Sequence, residues 1–209
     1  LGSGLARIIA GSVFSLGLIL VVIGGAELFT GNCLMVLGVL SSKVSIKGLL
    51  RNWTLVYLAN FAGSLFLVAL IYYSGLSKGQ EISQAIMGIA ASKVNMTFLE
   101  AFCRGIGCNW LVCLAIWLSM VGEKPISKIV AIFFPIMAFV ALGFEHSVAN
   151  MFFIPLGLVV KDSPIANLTW GGFLLRNLLP VSLGNIIGGG IFVAGTYYLI
   201  LKKREGLAR

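Results

Sequence analysis

A chain of 209 residues that is 59% hydrophobic and 11% charged, with a mean hydropathy of +1.03, has too little polar surface to coat a soluble domain. Its net charge of +8 does not point to nucleic acid, because the basic residues lie in loops between apolar runs rather than on one face. The bilayer is the solvent this composition demands.

In chain order, residues 8–25 and 33–40 are apolar segments that each fail as a full span and together read as one span broken in the middle. Residues 53–73 and 105–121 are continuous spans of the roughly 20 apolar residues a bilayer requires. Residues 129–142 and 151–160 form a second broken pair, and 181–201 a last continuous span. None resembles a cleavable signal, since the runs recur and lack a small-residue cleavage site. Lys43, Lys47 and Arg51 share one loop, Lys124 and Lys128 another, and Lys202, Lys203 and Arg204 follow the last span. The positive-inside rule puts all three clusters, and the C-terminus, in the cytoplasm. Lys78, Lys93 and Lys161 remain outside, offset by Glu81 and Asp162. Cys33, Cys103, Cys108 and Cys113 lack C-x-x-C spacing and read as small buried hydrophobes, so no metal or cofactor is expected.

The two breaks match each other. Gly25-Ala26-Glu27-Leu28-Phe29-Thr30-Gly31-Asn32 and Gly143-Phe144-Glu145-His146-Ser147-Val148-Ala149-Asn150 both fit G-x-E-x-x-x-x-N. Beyond them, Arg51-Asn52, Leu58, Asn60 and Gly63 recur as Arg176-Asn177, Leu183, Asn185 and Gly188 at identical spacing. Duplication is the economical reading: a single transmembrane domain over 1–209, with a partial repeat at 1–75 and a second at 97–201. A repeat with an odd number of spans inserts inverted, so the breaks face each other near the midplane, where transport sites lie. The helix centred near Asn109 has no counterpart before Arg7, which implies a first helix missing from this chain and places Leu1 on the outer side.

Glu27 and Glu145 are equivalent, and a buried carboxylate must be satisfied. Proton or cation coordination is the functional reading; acceptance of backbone N–H groups freed by a broken helix is the structural and favoured one. The matching Asn32 and Asn150 belong to the same structural polar set. His146, the sole histidine, stands where the first repeat has Leu28, so pseudosymmetry fails at an ionisable residue. Thr30 is placed to reach that imidazole, to bond a passing anion, or to cap the half-helix after it. Two half-helices starting at the midplane direct positive dipole ends there, favouring anions. Lys93, beside an outer-side helix start, either draws anions to the mouth or is a solvated loop lysine. Phe14 and Leu18, one turn apart, and Phe139, about two turns before His146, fit an apolar constriction but equally fit ordinary core.

The breaks, together with Phe14-Ser15-Leu16-Gly17-Leu18-Ile19-Leu20 and Asn109-Trp110-Leu111-Val112-Cys113-Leu114-Ala115, resemble the signatures of the formate/nitrite transporter family. The resemblance runs from near residue 7 to near residue 201. It implies an all-α polytopic membrane protein with an aquaporin-like inverted repeat and two broken helices, assembled as a homopentamer with one pore per protomer, in a prokaryotic inner membrane. The implied substrates are formate, nitrite or hydrosulfide, crossing passively or with a proton. Leu28, Thr30, His146, Lys93 and Asn109 are the implied pore residues. Leu18 and Phe139, with Phe14 nearby, would build the inner constriction, and Leu28 would contribute to the outer one. An aquaporin-like channel for neutral solutes is the alternative, though neither half carries Asn-Pro-Ala. An intramembrane enzyme would need a nucleophile and base within reach, and His146-Ser147 is the one candidate pair.

Overall fold

The computed structural model describes residues 2–207, and the side chains of 2–203; Leu1 and the Arg204 side chain lie outside the described residues. Helix α1 runs Ser3–Gly24, and after the first break a 3-10 turn, Gly31–Leu34, leads into α2, Met35–Leu40. Then come α3 (Ile46–Tyr73), α4 (Gln80–Val94), α5 (Phe98–Val121) and α6 (Pro125–Ala141). The second break precedes α7 (Ser147–Val160). The last span passes through a π-helical segment, Gly172–Leu178, α8 (Leu179–Ile186), a second π-helical segment, Ile187–Gly195, and α9 (Thr196–Leu207).

Local chemistry explains the boundaries. Ser45 caps α3 by accepting the Gly48 N–H, Thr97 and Glu100 form a reciprocal capping box on α5, and Pro125 opens α6 at a position that needs no N–H. Both breaks begin with a glycine in the left-handed region, Gly25 at φ 71° and Gly143 at φ 74°. A helix that meets such a residue ends there, because its next N–H turns back to an earlier carbonyl: Ala26 N–H donates to Val21 O and Phe144 N–H to Phe139 O. The glycine of G-x-E-x-x-x-x-N is therefore the helix stop.

Among the described residues, Ser3–Gly24, Ile46–Tyr73, Phe98–Val121 and Gly172–Lys203 are long and apolar enough to cross a membrane. The first differs from expectation: α1 has 22 residues and does not fail as a single helix, because the helix continues back from Ile8 through Arg7 to Ser3. The continuous spans also begin earlier than hydropathy implies, since Lys47, Arg51, Arg104 and Arg176 are absorbed into helical turns. Helix α4 is an addition; its mixed polar surface gave no span signal.

Small residues let the helices close. A Cβ on Gly184 would stand 2.2 Å from Phe102 O and one on Gly188 2.3 Å from Ile106 O, so the last span lies backbone to backbone on α5. A Cβ on Gly11 would stand 2.6 Å from Met137 O, joining α1 to α6, and Gly157 against Ala90 joins α7 to α4. Outward faces carry Val13, Phe66, Leu99 and Val121, exposed as lipid-facing side chains are.

Candidate functional site

Asparagines hold the two breaks open. In the second, Asn185 Oδ1 accepts the Ser147 N–H at 2.9 Å while its Nδ2 donates to Glu145 O at 3.0 Å and Gly105 O at 2.8 Å. In the first, Asn60 Oδ1 accepts the Phe29 N–H at 2.9 Å and its Nδ2 donates to Glu27 O at 3.1 Å. The glutamates do not catch freed backbone N–H groups; they hold side chains. Asn32 donates to Glu27 and, at 2.7 Å, to Asn52. Asn150 donates to Glu145 and to Asn177, both at 2.7 Å. Glu145 is 4% exposed, whereas Glu27, expected to be buried, is exposed because only Asn32 reaches its carboxylate.

Lys93 is not a solvated loop lysine: it occupies the last turn of α4, shortly before α5 begins, and its Nζ lies 2.9 and 3.1 Å from the two Glu145 oxygens. Paired with both carboxylate oxygens, this ammonium braces the second break rather than standing free in a mouth.

Thr30 and His146 meet across the breaks, Oγ1 to Nε2 at 2.8 Å. Capping falls to the histidine, not the threonine: His146 Nδ1 accepts the Ala149 N–H at 3.1 Å, and Thr30 makes no cap bond. Since Nδ1 is an acceptor, the proton of the neutral ring sits on Nε2 and is donated to Thr30 Oγ1. Asn109, fully buried, donates to Thr30 O at 3.0 Å and Asn185 O at 2.7 Å, tying one break to the last span. Cys113 Sγ reaches the same Thr30 carbonyl at 3.4 Å. Asn109 is thus a brace behind the site.

His146 borders a cavity of about 430 Å³ whose walls include Phe14, Leu18, Leu28 and Phe139 and are otherwise almost wholly apolar. Phe14 and Phe139 close edge to face, ring centroids 5.7 Å apart, and Phe139 lies nearly parallel to the His146 ring at 6.0 Å. Leu28 and Val21 separate this cavity from a second, of about 300 Å³, reaching Met35 and Met120. Thr30 is fully buried behind the imidazole, so the closed arrangement shows the cavity a histidine edge and hydrocarbon.

Helix α5 serves as a ruler for depth. Its Gly107 touches Phe144 of the second break, whereas Asn109, Cys113 and Ile116 touch Thr30 and Gly31 of the first. The first break therefore lies farther from the Lys93 end than the second. Leu28 lies toward the Lys43 end, and Phe14 with Phe139 toward the Lys93 end. If the Lys43 end is inside, as the loop charges imply, this is the reverse of the gate order that the resemblance implied, because α1's earlier residues lie nearer the Lys93 end.

The sequence reading missed Asn52, Asn60, Asn177, Asn185 and Cys113 as residues that hold the breaks. The four asparagines were visible as repeat matches; what they bond was not.

Paired broken helices around a cavity within a polytopic all-α bundle define a membrane transport protein of the channel type. The chain belongs to the formate/nitrite transporter family, whose sequence pattern matches residues 2–199. It is 46% identical to a probable formate transporter of Methanothermobacter thermautotrophicus, over 96% of this chain and 78% of that protein. It is 41% identical to the formate channel FocA of Escherichia coli K12, over 97% of this chain and 76% of that protein. A solved structure of a pentameric formate channel with formate bound superposes with a TM-score of 0.85 at 38% identity, covering 96% of this chain and 85% of that one. Membership of a transporter family sets aside the enzyme reading.

Proposed function

We propose that this protein is a passive channel for formate and similar small monovalent anions, nitrite and hydrosulfide among them. The observation that carries the reading is the chain of donors from Ala149 N–H to His146 Nδ1 and from His146 Nε2–H to Thr30 Oγ1, set in a cavity wall between apolar closures. The hydroxyl proton of Thr30 is the end of that chain, free for an anion once the imidazole turns aside. Moving a bare anion through hydrocarbon costs many kcal/mol, and a hydrogen bond to a charged group recovers about 1.5–3 of them. Both breaks open onto helix starts, at Gly31 and Ser147, whose dipoles favour the same sign. Proton transfer from His146 is disfavoured, because a second proton on Nδ1 would break the cap of α7.

The matching asparagine frames support two inverted repeats, and the loop charges put the Lys43 end in the cytoplasm. Phe14 and Phe139 then form the outer closure and Leu28 the inner. The pentameric relative supports a homopentamer, and a cavity lined by residues of a single chain supports one pore per protomer. A prokaryotic inner membrane is the setting its bacterial and archaeal relatives support.

The experiment is uptake of formate, nitrite and hydrosulfide into proteoliposomes, with glycerol as the neutral control. Anion uptake with glycerol excluded is the expected result; glycerol flux alone would make this a neutral-solute channel.

A further inference from the structure

The cavity-facing stripes of three helices continue outward beyond the phenylalanine closure, and all three end at one turn. On α1, Leu18 and Phe14 are followed two turns earlier by Arg7. On α5, cavity-lining Val112 and the core residue Cys108 one turn before it are followed a further turn earlier by Arg104. On α6, Ile136 and Phe139 lead to Gly143, the left-handed residue after the helix. Arg104 Nη1 lies 3.5 Å from Gly143 O, and Arg7 Nη1 lies 4.0 Å from the point where a Cβ of Gly143 would stand. Two exposed guanidiniums from different helices thus converge on Gly143, at the Lys93-side end of these stripes.

Neither is neutralised. Among the described residues the sole ion pair joins Lys93 to Glu145. Glu100, one turn before Arg104 on α5, forms no ion pair with it, and its carboxylate accepts from the Thr97 N–H at 2.8 Å and hydroxyl at 2.9 Å. The lysine that the sequence suggested as an attractor is engaged with Glu145, whereas these two arginines form no ion pair. An arginine presents a planar donor fork that matches a carboxylate or nitrite oxygen pair.

We propose that Arg7 and Arg104 form a capture site for small planar oxyanions at the mouth, the step before passage of the Phe14–Phe139 closure. Gly143 keeps the space between the two forks clear of a side chain. The site raises the local concentration of formate through field focusing rather than tight binding, so its effect is largest at low ionic strength. It rests on the anion-channel reading and adds the residues that select charge before the donor chain is reached.

The test is concentration-dependent formate uptake by the reconstituted protein and its R7Q, R104Q, R7Q/R104Q and R7K/R104K variants. At low salt the half-saturating formate concentration should rise about 3-fold in each single glutamine variant and about 10-fold in the double, with a smaller fall in maximal rate; the lysine pair should restore most of it. The differences should shrink at about 0.5 M salt. A double glutamine variant with unchanged half-saturation overturns the capture site while leaving the channel reading intact. A second measurement, line broadening of 13C-formate by the protein in detergent, separates the two claims. Broadening lost in R7Q/R104Q supports capture even where uptake is absent, and no broadening by the unaltered protein overturns it.

Discussion

His146 performs two tasks with its two nitrogens, and substitutions can separate them. Asparagine keeps an acceptor for the α7 cap but cannot span to Thr30, whereas alanine loses both bonds. His146→Ala should lower stability by about 2 kcal/mol, the sum of a lost cap and a buried hydroxyl left without its partner. His146→Asn should lose less than about 1 kcal/mol in thermal unfolding, yet still alter anion uptake. If both variants unfold alike, the cap assignment is wrong. Thr30→Val preserves shape and removes the terminal donor; formate uptake should fall about 10-fold with little change in melting temperature. Equal uptake by Thr30→Val would remove the hydroxyl from the pathway. Lys93 and Glu145 are 14% and 5% exposed, so removing either leaves its partner poorly solvated. Lys93→Met should destabilise by about 3 kcal/mol, and Lys93→Met with Glu145→Gln by less than the two single changes together. Additive losses in that cycle would mean the pair is not coupled.

At the scale of elements, the breaks are ended by left-handed glycines, framed by asparagines of neighbouring spans, and packed through glycines that admit no side chain. Gly184→Ala sets a methyl against the Phe102 carbonyl, where neither backbone can yield, and should cost about 3 kcal/mol or more. Gly63, the comparison, has open space around its Cβ position within α3; Gly63→Ala should stabilise by about 0.5–1 kcal/mol through helix propensity. Thermal unfolding of both in one detergent decides the matter: similar melting temperatures would mean the last span is not seated on α5 as described. A Cβ on Gly189 would meet Asn109, Cys113 and Cys33 together, so that glycine admits the first break to the interior.

For the whole molecule, the sidedness inferred from Lys43, Lys47, Arg51, Lys124 and Lys128 sets which closure faces out. A fluorescent protein fused to the C-terminus should fold and fluoresce, as it does only in the cytoplasm, while a fused alkaline phosphatase should be inactive. The reverse pair of results would invert the pore.

Hydropathy and the repeated G-x-E-x-x-x-x-N were enough to read the membrane class, the two breaks and the residues flanking them, because burial in lipid writes itself into long apolar runs and special backbone needs glycine. Asn60 and Asn185 were visible as matches, and Thr30 and His146 as an asymmetric pair. The partners were not legible. That Lys93 pairs with Glu145, that the histidine rather than the threonine caps its half-helix, and that Leu28 lies toward the Lys43 end all depend on contacts between segments tens of residues apart. Nothing in the sequence links Arg7 to Arg104, and they meet at Gly143 only because α1, α5 and α6 pack together. Periodicity and composition report the solvent a residue faces; which side chain receives its proton or charge is decided when the helices dock.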